Sequence, residues 1–166
     1  MLAQNVAVMG STKDKDRVSR LIERARHLFL AIADERELQL QWDETAPVEL
    51  AAWLRRQPGL DWDLFLNLQN NDEIGIQHDY FYVEWFPADD PAQEEKFVET
   101  LKGLLSGDVQ LRCSFQPKMD RPYRVDFQRE VHGAWSTFYY YADGLHVGRP
   151  ASVTVMRNGH GTTVER

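Results

Sequence analysis

The chain lacks most of the features that assign a compartment or a chemistry to a sequence. It holds one cysteine, Cys113, in 166 residues, so no intrachain disulfide framework exists. No window approaches the ~18 consecutive apolar residues of a membrane-spanning helix. Residues 1–10 show neither the basic region nor the apolar stretch of a signal peptide. No Asn-x-Ser/Thr glycosylation acceptor occurs. These absences lead to the expectation of a cytoplasmic protein with no membrane association.

Chemical motifs are equally scarce. Residues 6–12 run apolar and then Gly10-Ser11-Thr12, as a strand leading into a phosphate-binding helix start would. No second glycine of a phosphate loop occurs, Lys13 follows Thr12 where such a loop needs it before the hydroxyl residue, no G-x-G-x-x-G fingerprint is present, and an ordinary capped helix is the better reading. There is no Gly-x-Ser-x-Gly elbow for a nucleophilic serine. His27, His78, His132, His146 and His160 share no metal-ligand spacing. The expectation is therefore no catalytic residue, no metal and no cofactor, and an enzyme is the less favoured class.

What the chain has is core material and an uneven charge. Apolar residues make up 43% and aromatics 11%, with five Trp, enough for a single domain over residues 1–166 without staples. The net charge is −7. Residues 1–33 are net +3, residues 34–100 net −13 and residues 101–166 net +3. A −13 segment repels polyanions, which disfavours nucleic-acid binding. The acidic middle either faces the basic ends within the fold or forms an acidic surface for a basic partner protein.

The periodicity predicts an amphipathic helix over residues 14–33, with Ser11 and Asp14 as a capping box and Val18, Leu21, Ile22, Ala25, Phe29 and Ile32 in its buried stripe. A strand is predicted over 37–42 and a short helix over 47–56, opened by Pro47 and closed by Pro58-Gly59. Strands follow over 61–69 and 74–86. The inward phase of the latter switches from Ile74 and Ile76 to Phe81, Val83 and Trp85, which predicts a β-bulge at 78–80.

Asp90-Pro91-x-Gln93 starts a helix that ends at Gly107. Strands are then expected at 109–113, 123–127 and 134–141, with a last hairpin over 152–164 turning at Asn158-Gly159. The resulting order, α-β-α-β-β-α-β-β-β(β), is α+β: one mostly antiparallel sheet with about three helices on one face.

On that arrangement the uncovered sheet face would present Asn67, Gln69, Tyr82, Glu84, Gln110, Arg112, Arg124, Asp126, Thr137 and Tyr139. The aromatic run around Tyr80 and Tyr82 sends rings to both faces. Two functional readings follow. The first is a non-enzymatic interaction protein of inhibitor or immunity type, meeting a basic protein partner through residues 34–100 and exposed aromatics such as Tyr80, Tyr82 and Tyr139. The second is a small-molecule binder or enzyme using the polar face, with Glu84 as acid or base and Arg112 or Arg124 holding an anion.

Overall fold

A computed structural model describes residues 12–144 and 149–165. The Ser11 cap, the apolar stretch 6–9 and His146 lie outside them. The order of elements is α1 (Thr12–Glu35), β1 (Leu40–Trp42), β2 (Leu50–Leu54), β3 (Leu64–Gln69), β4 (Glu73–His78), β5 (Phe81–Trp85), α2 (Pro91–Ser106), β6 (Val109–Phe115), β7 (Arg124–Val131), β8 (Ala134–Ala142), β9 (Ser152–Arg157) and β10 (Gly161–Glu165). The α+β class stands, with two corrections. There are two helices among the described residues, and the strands form two antiparallel sheets of five, ordered β1-β2-β3-β4-β5 and β10-β9-β6-β7-β8. A helix followed by five strands thus occurs twice, but the strand orders differ.

The missing helix is the segment predicted over 47–56, which is strand β2, central between β1 and β3. Its Glu-Leu-Ala-Ala-Trp-Leu composition favours a helix locally. Pairing on both edges, and burial of Leu50, Ala52 and Leu54 on one sheet face, override that preference. The predicted bulge at 78–80 is instead a two-residue turn at Asp79-Tyr80, with His78 paired to Phe81. Two residues of turn change the inward parity just as an inserted residue would. Ile74, Ile76, Phe81, Val83 and Trp85 therefore share one face.

That face is the floor of the core. α1 lies over β1, β2 and β3, and α2 over β4 and β5. Phe29 of α1 and Phe97 of α2 meet there at 5.7 Å between ring centroids, both fully buried. α2 also packs on β6, so one core continues into the second sheet through Val109, Leu111, Cys113, Val125 and Phe127. Phe81 against Phe127 (4.9 Å) and Trp85 against Tyr139 (6.2 Å) close the seam between the sheets. The ends of α2 are as predicted: the Asp90 side chain accepts from the Ala92 N–H at 2.9 Å, and Gly107 stops the helix at φ 77°. No described helix is long and apolar enough to cross a membrane.

Candidate functional site

The outer face of the first sheet carries four of the residues expected on an uncovered surface, Asn67, Gln69, Tyr82 and Glu84. Asn67, Gly75 and Glu84 are adjacent across β3, β4 and β5, and Gln77 pairs with Tyr82. Gly75 makes room for the others: a Cβ there would lie 2.7 Å from Asn67 Oδ1 and 3.0 Å from Tyr82 Oη. Gln69 Nε2 donates to Tyr82 Oη at 2.7 Å. Burial, and then the neighbouring Glu84 carboxylate, raise the Tyr82 phenol above its ordinary pKa. Tyr82 stays a neutral phenol beside Glu84.

Arg112 and Arg124 belong to the other sheet, on β6 and β7. Arg124 donates to Asp126 Oδ1 through Nε and Nη2 (2.9 and 2.6 Å), and its guanidinium lies 4.7 Å from the Tyr140 ring centroid. Arg112 faces Asp126 across the β6–β7 ladder. The expected constellation of Glu84 with Arg112 or Arg124 on a single face is thus divided between two sheets. The physical reason is the break after β5, where α2 carries the chain over to a new sheet instead of extending the first.

The structure instead brings Glu84 together with Tyr139. Both line a cleft of about 500 Å³ between the end of β5, the side of α2 and strand β8. Phe86, Phe138 and Tyr139 supply its aromatic walls. They are exposed by 58%, 42% and 37%, a local concentration of ring surface. Arg129 braces one wall: its Nη1 donates to Glu99 Oε2 at 3.2 Å while its guanidinium covers Phe138 at 4.5 Å. Burial first, and the Glu84 charge second, raise the Tyr139 pKa.

Phe138 is the extra residue of a bulge opposite Phe127–Gln128, with Tyr139 paired to Phe127 and Thr137 to Gln128. Strict alternation over 134–141 hides such a bulge, so Phe138 does not stand out as a site residue in the sequence pattern. The aromatic run Phe138 to Tyr141 is its only signal there.

Tyr80 is separate from all of these. It lies in the β4–β5 turn and lines a second cavity of about 450 Å³ with Trp62, His78, Asp63, Arg55 and Arg56. The His78 ring stacks on Phe81 (5.5 Å) and meets Tyr80 (5.3 Å) and Trp62 (6.2 Å) edge-on. His78 Nδ1 accepts from the Tyr80 N–H at 3.2 Å. Sequence adjacency suggests that His78 and Asp79 are a surface pair beside a turn. Asp79 is exposed, but His78 is drawn into the seam by its aromatic neighbours.

The charge asymmetry is partly absorbed within the fold. Arg17 pairs with Asp72 and Asp89, Arg24 with Glu94, Lys102 with Glu35, and Arg129 with Glu99. Each of these contacts joins a basic end of the chain to the acidic middle. They are surface pairs screened by solvent, so they organise charge more than they stabilise.

Comparison with protein-family models, with curated proteins and with solved structures gives no match.

Proposed function

We propose that the chain is a non-enzymatic binding protein whose partner is another protein, docked on the aromatic cleft between α2 and β8. The observation that carries this reading is the clustering of Phe86, Phe138 and Tyr139 as exposed rings around one concave site. Exposed aromatics at that density are costly in water and are the residues from which interface anchors are drawn. Strand β8 adds to the argument. It is an edge strand of nine residues with no charged side chain, exposed along most of its length. Such an edge offers backbone donors and acceptors to an extended segment.

A net charge of −7 favours a basic partner, although the internal ion pairs leave less acidic surface than the sequence suggests. The test is affinity capture with the wild-type chain beside a Phe86→Ser/Phe138→Ser double variant. The expected result is a partner held by the wild type, released as salt is raised, and lost by the variant. Equal retention by both proteins, or salt-insensitive binding, counts against the reading.

A further inference from the structure

Among the asparagines of the chain, Asn158 alone is followed by glycine. That order carries a chemistry of its own. The backbone nitrogen after an asparagine can attack the side-chain amide, and a glycine, with no Cβ in the way, leaves the approach open. A bond forms between the Gly159 nitrogen and Asn158 Cγ, the bond from Cγ to Nδ2 breaks, and ammonia leaves with the Gly159 proton. Water then opens the cyclic imide to aspartate, or to isoaspartate with the backbone rerouted through the side chain. No oxidant, reductant or further reactant takes part.

The fold holds both reacting groups. Asn158 is 5% exposed. Its Nδ2, the leaving nitrogen, donates to the Gly59 and Leu105 carbonyls at 2.8 and 2.6 Å, and its Oδ1 accepts from the Asp61 N–H at 2.9 Å. The attacking nitrogen is tied as well, since the Gly159 N–H donates to Asp61 Oδ2 at 2.8 Å. The turn is also seated on the end of α2. Arg157 Nε donates to the Gly107 carbonyl at 2.6 Å, and a Cβ on Gly107 would lie 2.5 Å from the Asn158 carbonyl oxygen.

The product does not fit the same seat. An aspartate at 158 has no amide N–H for Gly59 and Leu105, and it sets a second carboxylate beside Asp61. Isoaspartate also lengthens the backbone between Arg157 and Gly161, which pair across the turn. The β9–β10 hairpin lies at the edge of its sheet, where local opening is easier than global unfolding. We infer that Asn158 is a deamidation site, protected while this turn is closed and exposed when it opens. The reaction is one-way for the fold, because a chain modified while open does not close again.

The full-length chain is incubated at mildly alkaline pH in native buffer and in guanidinium chloride, and conversion at each asparagine is followed by peptide mass spectrometry. In denaturant Asn158 is expected to convert ahead of Asn67, Asn70 and Asn71, and in native buffer about tenfold or more slowly than in denaturant. After removal of the denaturant, the fraction that fails to regain native tryptophan fluorescence should grow with exposure time, in step with conversion at Asn158. Gly159→Ala, whose Cβ meets nothing within 4 Å, slows conversion in denaturant and preserves refolding. Where the strain of alanine at φ 74° stops that variant folding, the wild-type time course decides by itself. Equal rates in the two solvents, or a faster native rate, overturn the protection. Full refolding of converted chains overturns the one-way step, and no conversion in denaturant overturns the site.

Discussion

The side chain of Asn158 and the backbone of Asp61, 97 residues apart, are hydrogen-bonded: Asn158 Oδ1 accepts from the Asp61 N–H at 2.9 Å. The same amide donates through Nδ2 to the carbonyls of Gly59 (2.8 Å) and Leu105 (2.6 Å). Leu105 is in the last turn of α2, where carbonyls have no partner within the helix. Asn158 therefore ties the β9–β10 turn, the loop before β3 and the end of α2 together. Asn158→Ala is expected to cost about 2–4 kcal/mol, because it strands buried backbone groups as well as losing bonds. Asn158→Asp keeps one acceptor but turns a carboxylate toward two carbonyls, and should be at least as damaging. Chemical denaturation of the three proteins measures this; a loss within about 0.5 kcal/mol, the usual effect of a surface change, would remove the role.

Gly103 on α2 sits against Val109 on β6, where a Cβ would come 2.5 Å from Val109 Cγ2. Helix propensity favours Gly103→Ala by about 1 kcal/mol, but the overlap is with a fully buried β-branched side chain that cannot swing away. The clash wins, and a net loss of about 1–3 kcal/mol is expected. Adding Val109→Ala removes the obstacle, so the double variant should be more stable than the sum of the two single losses. Additive losses in that cycle would show that the contact is not the cause.

His78 gives stability a dependence on pH. Burial is the larger influence and lowers its pKa below the ordinary value, with Asp79 and Asp63 opposing. Between the folded and the unfolded pKa the native chain binds fewer protons than the unfolded one. Stability is therefore fully present above about pH 6.5 and declines as pH falls below it. The carboxylates of Asp63 and Asp89 have lowered pKa values, so their contributions are lost only at more acidic pH, below their own unfolded range. Denaturation at about pH 7.5 and about pH 5 should show the wild type losing stability across the interval and His78→Phe holding nearly level. Parallel behaviour of the two proteins would assign the slope elsewhere.

Cys113 is fully buried, and burial, reinforced by Asp126, pushes its thiol up to about 12. Since the thiolate is the reactive form, the native protein should resist a disulfide reagent near neutral pH, and one thiol should titrate after denaturation. Rapid labelling of the native chain would mean that β6 opens far more readily than its packing implies.

Local chemistry makes some elements readable from the amino-acid order alone. Helix α2 follows from Asp90, Pro91 and Gly107, each acting within a few residues of itself, and the last hairpin follows from Asn158-Gly159. The stripe of α1 and the burial of Cys113 are also legible, because apolar periodicity reports burial wherever one face is covered. Of the expected site residues, Tyr82 and Glu84 share a neighbourhood, as alternation within one strand requires.

The remainder depends on contacts between distant parts of the chain. Whether residues 50–54 are helix or strand is decided by β1 and β3 on either side, against local preference. The break into two sheets, which separates Glu84 from Arg112 and Arg124 and joins it to Tyr139, comes from where α2 deposits the chain. Asn158 reads as a turn residue and is also a buried clamp; His78 reads as a surface group and lies in an aromatic seam. Caps, turns and most apolar faces are written into short stretches of chain, since the forces behind them act over a few residues. Which faces meet, and therefore which side chains share a cavity, depends on tertiary packing, because that pairing is settled by the burial of the whole core at once.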